Sequence, residues 1–268
     1  MNYKLLFPTY RNRYRFIKQR LQALPGDPGS RQMLNLGAGE GDYDGMIASY
    51  GAHLISCDLN EADVAFAREY NKGNDKITYQ VENGLALSFP DNHFDVIVCI
   101  EVIEHVGDPE QLLNEIQRVL KPGGHLLMTF PRQSFPWTYD PINRFFAPLG
   151  QKVISQGAYA FGHDYLINDQ AFGQWIQQRQ FKTVERRPLS RHLVGFLEMY
   201  WTGIVQQIFK SNTGNSSETA EKGVRMRPSN REPKLLGLPT DLILWLDRTL
   251  FGWTKRSVGM GYVLQIEK

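Results

Sequence analysis

The stretch "VCIEVIEHVGDPE" holds three side chains able to do chemistry, Glu101, Glu104 and His105. They follow an apolar run that reads as a buried strand and precede a break at Gly107 and Pro109. In an open α/β sheet, ligands bind beyond the carboxyl ends of the strands, so Glu104 and His105 are expected to face an acceptor. Histidine changes protonation near neutrality and can take a proton from a nucleophile held against it. The bland alternative is structural, with the acid only capping the turn that follows.

A second constellation lies upstream. "LNLGAGEG" (34–41) places Gly37, Gly39 and Gly41 between an apolar run and a helical pattern. Glycines there let the backbone turn sharply and approach a ligand closely. Asp58 ends the next apolar run, nineteen residues after Gly39, where an acid can accept both hydroxyls of a ribose. Dinucleotide turns read G-x-G-x-x-G and leave room for a pyrophosphate. Here the spacing is G-x-G-x-G with Glu40 inside it, and a carboxylate among the backbone donors suits a cationic, phosphate-free nucleoside better.

The elements that must carry these groups alternate along the chain. Strands are expected at 33–36, 52–59, 77–81, 94–100 and 125–130, with helices between them. "DPEQLLNEIQRVL" (108–120) is an amphipathic helix capped by Asp108 with Pro109 in its first turn, and "KPGG" ends it. A helix follows at 168–181, capped by Asn168 or Asp169, then strands at 182–188 and 260–268. This alternation implies a doubly wound, mostly parallel sheet. At the front, Phe7, Tyr10, Tyr14, Ile17 and Leu21 form one face of a helix over residues 1–24, with the basic residues mostly on the other positions and in water. The alternative for that segment is a basic, aromatic lid or a membrane-surface helix.

Taken together, "LNLGAGEG", "CDLN", "VENGLALSFPDNHFDVIVCIEVIEHV" and "RVLKPGGHLLMTFP" resemble, in order and spacing, the class I S-adenosylmethionine-dependent methyltransferases of the small-molecule type. The resemblance covers about residues 30–132 and implies a Rossmann-like, seven-stranded, doubly wound sheet with helices on both faces. It further implies that Gly37, Ala38 and Gly39 lie under the methionine part of S-adenosyl-L-methionine. Asp58 would hold the ribose, Leu59 would pack on the adenine, and Asn83 and Gly84 would contact the adenine edge. Ile100 and Glu101 would end beside the sulfonium. Two positions depart from the family pattern. Asn83 stands where an acid is usual, and its amide oxygen can still accept from the adenine amino group. Asn35 replaces the common acid of the first motif, which weakens a hydrogen bond to the glycine turn.

Methyl transfer is an in-line displacement that rests on alignment and on removal of a proton from the acceptor. His105 is the preferred base, with His163 as its partner or alternative. "EVIEHV" is also similar to the motif of the ubiquinone-biosynthesis O-methyltransferases and of the small-RNA terminal 2′-O-methyltransferases. There the two acids, the histidine and a later histidine hold a divalent ion against neighbouring hydroxyls, which here would draw Glu101, Glu104, His105 and His163 into a metal site. The divalent metal thus stays an open alternative. The acceptor pocket is expected to draw on Trp137, Tyr139, Asp140, Tyr159 and His163.

The methyltransferase core is expected over 30–190 and 259–268, interrupted by a helical insertion at 191–258 with a mobile polar stretch at 211–234. The insertion carries ten Lys and Arg against six Asp and Glu, and apolar helices with Trp201, Trp245 and Trp253. It reads as a cap or pocket wall, with peripheral membrane contact or a dimer interface as alternatives. No window of about 18 uninterrupted apolar residues is present, so a membrane-spanning helix is not expected. Cys57 and Cys99 sit in apolar runs and read as reduced core residues of a cytoplasmic protein. A net charge of +2 gives no case for a dedicated nucleic-acid binder. The expected activity is O-methylation of a small or lipid-like hydroxylated acceptor. The rivals are a metal-assisted transferase acting on a diol, a cofactor-binding scaffold without turnover, and a nicotinamide-dependent oxidoreductase.

Overall fold

The computed structural model describes residues 3–133, 147–149, 166–197 and 234–267. Among them the chain divides into two compact units. One holds residues 12–133, 166–189 and 259–267, and the other holds 3–11, 147–149, 190–197 and 234–258.

The first unit is built on a seven-stranded sheet. In chain order its strands are β1 (Gln32–Leu36), β2 (His53–Asp58), β3 (Ile77–Val81), β4 (Phe94–Ile100), β5 (Leu120–Pro131), β6 (Phe181–Ser190) and β7 (Gly259–Ile266). They lie side by side in the order β3-β2-β1-β4-β5-β7-β6. The pairs β1–β2, β1–β4, β2–β3 and β4–β5 are parallel, and β7 runs antiparallel to β5. The strand order reverses beside β1, with β2 on one side and β4 on the other. A crevice opens at such a switch point, beyond the carboxyl ends of the strands.

The sheet is mixed because β7 runs antiparallel to β5, and β7 does not follow β6 through a short hairpin. Residues 191–258 separate the two strands, and a helix, α6 (Leu238–Phe251), lies between them in the chain. Other helices among the described residues are α1 (Pro8–Ala23), α2 (Asp44–Ala48), α3 (Glu61–Tyr70), α4 (Pro109–Val119) and α5 (Asp169–Gln178), and residues 192–197 after β6 are helical too. β4 lies in the middle of the sheet, and its Val96, Ile97, Val98 and Cys99 are all buried. That is why it reads as a near-continuous apolar run. Leu112, Leu113, Ile116 and Val119 of α4 pack into the same core, each burial stabilising the fold by about 2 kcal/mol. Asp108 caps α4 by accepting from the Gln111 N–H, and Asn168 caps α5 by accepting from Gln170 and Ala171.

Two expectations are corrected. The segment "KPGG" does not simply end α4. It belongs to β5 as an irregularity, pairing shifts from Phe94↔Leu120 to Val96↔His125, and Gly123 takes φ +79. The cations of α1 do not all stay in water either. Tyr14, Ile17 and Leu21 are buried as their spacing requires, but so is Arg11, which lies in a bidentate ion pair with Asp241 at 2.7 Å through both oxygens. Phe7, by contrast, is largely exposed. The cysteines Cys57 and Cys99 are free and buried.

Candidate active site

Register decides which residues meet at the switch point. Leu36 is paired with Cys57 on one side and Cys99 on the other. The next residues, Gly37, Asp58 and Ile100, therefore emerge together at the carboxyl edge of β1, β2 and β4. Ala38 N–H donates to the Cys57 carbonyl at 2.9 Å, which ties the glycine turn to the end of β2.

Each glycine of that turn has its own reason. All three take positive φ, +70 at Gly37, +53 at Gly39 and +76 at Gly41. A side-chain carbon on Gly37 would sit 2.3 Å from a methyl of Val102, and one on Gly41 would lie 2.7 Å from Asp44 Oδ2. At Gly39 a side-chain carbon would meet nothing within 4 Å. The backbone there borders open space that packing does not require, as a surface kept for a ligand would.

Asp58 closes this cradle. Its Oδ2 accepts from Gly39 N–H at 2.8 Å and its Oδ1 from Asn60 N–H at 2.9 Å. One hydrogen bond on each oxygen leaves lone pairs for two ribose hydroxyls. Leu59, beside it, is 69% exposed, an apolar side chain in place to cover a flat base. S-adenosyl-L-methionine fits these residues: glycine backbone for the chain, a carboxylate for the ribose, and Leu59 for the adenine. The Asn83 amide oxygen accepts from Leu85 N–H at 3.0 Å in a local turn, which leaves it one further lone pair. Gly84 is small for a packing reason, since a side-chain carbon there would come within 2.9 Å of Leu112.

A buried acid explains the Asn35 departure. Asp44, fully buried at the start of α2, accepts from Asn35 Nδ2 at 2.7 Å, from Ser56 Oγ at 2.9 Å and from Tyr79 Oη at 2.9 Å. One carboxylate thus ties β1, β2 and β3 together beneath the glycine turn. The negative charge missing at position 35 is present at position 44, and an amide facing it avoids the repulsion two acids would suffer. Burial pushes the Asp44 carboxyl up, partly offset by these three donors. "GEGDYDG" contains the acid in plain view, but nothing in its spacing marks it as buried.

The "EVIEHV" residues part company. Glu101 stands in the left-handed region at φ +54, a strained backbone for a residue with a side chain. Its N–H donates to the Thr129 carbonyl, its Oε1 accepts from Thr129 Oγ1 at 2.9 Å, and its Oε2 lies 2.6 Å from Arg13 Nη1. Arg13 belongs to the basic run of α1, whose role at the site only the fold reveals. Tyr43, two residues after Gly41, is partly buried, and its hydroxyl is sealed near the charges of Arg13 and Glu101, so burial raises its pKa. Its ring lies 5.8 Å from that of Tyr14.

Glu104 does not face an acceptor as expected. It has no accessible surface, and neither carboxylate oxygen has a hydrogen-bond partner. Burial first and the Glu101 charge second push its carboxyl well above the usual carboxylate range. His105 turns outward instead, with 39% of its side chain exposed and Nε2 3.9 Å from Glu104 Oε1. As placed, Glu101 is held by a guanidinium, whereas Glu104 is a buried acid whose oxygens have no hydrogen-bond partner. Among the described residues no cluster of three or more His, Cys, Asp or Glu is set for a metal. His163, Trp137, Tyr139, Asp140 and Tyr159 lie outside the described residues.

Comparison with known proteins finds similar chains among methyltransferases. Residues 34–128 match the family model described as a methyltransferase domain. A demethylmenaquinone methyltransferase of Clavibacter sepedonicus is 28% identical over 174 residues, covering 61% of this chain and 70% of that protein. A ubiquinone biosynthesis O-methyltransferase of Coxiella burnetii (strain RSA 331 / Henzerling II) is 28% identical over 189 residues, covering 67% of this chain and 74% of that protein. In fold, the chain is similar to an S-adenosylmethionine-dependent methyltransferase from Mesorhizobium loti, with a TM-score of 0.56 at 15% identity, over 92% of this chain and 96% of that one. A phosphoethanolamine N-methyltransferase 2 of Haemonchus contortus is similar too, with a TM-score of 0.56 at 17% identity, over 96% of this chain and 53% of that one. The glycine cradle and Asp58 lie within the matched stretch, so residues 34–128 form a methyltransferase domain, and the chain is similar to the S-adenosylmethionine-dependent methyltransferases.

Proposed function

We propose that the enzyme methylates a hydroxyl oxygen of a small or lipid-like acceptor, with His105 as the base. The observation that carries this reading is the contrast at the end of β4: His105 is open to solvent while its neighbour Glu104 is sealed. A base must reach the proton it removes, and of the two only the imidazole can. The curated relatives named for ubiquinone biosynthesis O-methylation support oxygen as the acceptor atom.

When bound, S-adenosyl-L-methionine supplies an electrophilic methyl group on a sulfonium. The chain supplies alignment. Asp58 and the Gly39 backbone fix the nucleoside, and the strained turn at Glu101 shapes the floor beside the reacting end. A hydroxyl held against His105 gives its proton to the imidazole as the oxygen attacks, and the resulting imidazolium lies beside the Glu104 carboxyl. Most of the acceleration comes from holding the two partners in line.

The test is production of S-adenosylhomocysteine with a panel of alkylated phenols, catechols and matching amines. Turnover confined to the hydroxyl compounds, lost in His105→Asn with cofactor affinity intact, supports the reading. Turnover confined to amines would overturn the acceptor assignment. Undiminished turnover in His105→Asn would overturn the base.

A further inference from the structure

We propose that the exposed face of α6 is a docking surface for an anionic lipid bilayer. The helix has two opposite faces. Thr240, Leu244 and Asp247 are buried at helical spacing, whereas Leu238, Leu242 and Trp245 run along the other side, each more than half exposed. Leu235 and Leu236 precede this stripe at 81% and 62% exposure, and Trp253 follows it at 82%. An apolar stripe of leucine with tryptophan at its middle and its far end suits the boundary between headgroups and acyl chains, where an indole sits with one edge wet.

Charge chooses the partner. Between residues 234 and 256 the acids are Asp241 and Asp247, and both are committed to the protein. Asp247 is buried and accepts from the backbone N–H groups of Arg191, Leu193 and Val194 at 2.8 to 3.2 Å. Asp241 holds Arg11 through both oxygens. The cations Lys234, Arg248, Lys255 and Arg256 are all exposed. The surface therefore offers tryptophan, leucine and positive charge, with both of its carboxylates engaged by the protein. That combination attracts anionic headgroups and is not matched by a neutral bilayer. The helix lies on the surface rather than through it, since no described helix is long and apolar enough to cross a membrane. This inference does not depend on which acceptor the enzyme uses.

Flotation of the full-length protein with vesicles of phosphatidylcholine alone, or mixed with phosphatidylglycerol, tests it. Wild type is expected to float with the mixed vesicles, to be released by salt, and to shift its tryptophan emission to the blue. Trp245→Ser is expected to lower partitioning roughly tenfold. Arg248→Gln is expected to lower it roughly fivefold on mixed vesicles and to leave neutral ones unaffected. Cofactor binding by each variant confirms that it is folded. Failure of the wild type to float, equal binding to both vesicle types, or a stable dimer that Trp245→Ser dissociates would each overturn the proposal.

Discussion

Asn35 Nδ2 donates to Asp44 Oδ1 at 2.7 Å, and this one contact fastens the first strand to the acid beneath the glycine turn. Ser56 and Tyr79 hold the other oxygen of the same carboxylate. Asp44→Ala would leave three donors buried without an acceptor. It is expected to destabilise the protein by about 2–3 kcal/mol, measured by urea unfolding. Asn35→Asp would set two buried carboxyls face to face and is expected to destabilise most at high pH.

Glu104 offers a test of the sealed pocket through pH. Its folded carboxyl is raised, so its stabilising contribution is complete below the unfolded value of about 4 and is lost as pH rises through the folded value. Wild-type stability should therefore decline as pH rises above the unfolded value, and Glu104→Gln should flatten that decline. Thermal melts from about pH 5 to about pH 9 measure both slopes. Equal slopes in the two proteins would mean that the carboxylate finds solvent.

Gly39 separates ligand contact from packing. Alanine at φ +53 costs about 1–2 kcal/mol of backbone strain but meets no protein atom. Gly39→Ala should remain folded while its affinity for S-adenosylhomocysteine falls roughly tenfold or more, read by calorimetric titration. Gly37→Ala, pressed against Val102, should instead lose stability.

His105→Asn is expected to lower turnover by about 10²- to 10⁴-fold on a true acceptor, with little change in cofactor affinity. Removal of a base made only for the transition state appears in kcat, so a change confined to KM would assign His105 to acceptor binding.

Asp247 ties the beginning of the helix at 192–197 to α6. Asp247→Ala strips a buried set of backbone N–H groups of their acceptor. A loss of about 2–3 kcal/mol is expected, visible as an early unfolding transition.

The sequence by itself determined the alternation of strands and helices, because a doubly covered parallel strand must be apolar throughout and an amphipathic helix must repeat near 3.6 residues. It also marked the glycine turn, since glycine is favoured where the backbone takes positive φ, and Asp58 follows at a distance set by one helix and one strand. What it did not determine is which charges face inward. Arg11, Arg13 and Arg20 read alike along α1, yet Arg11 is buried on Asp241, Arg13 reaches Glu101 and Arg20 pairs with Glu185. Glu104 and His105 are adjacent in sequence, and a single step along the chain sends one into the core and the other into solvent. Asp44 is one of three acids between residues 40 and 44, and only the stacking of β1, β2 and β3 makes it their common acceptor. Burial of a charge depends on partners far away in sequence, because desolvation is tolerated only where hydrogen bonds or opposite charges meet it, and those partners are assembled by the tertiary fold.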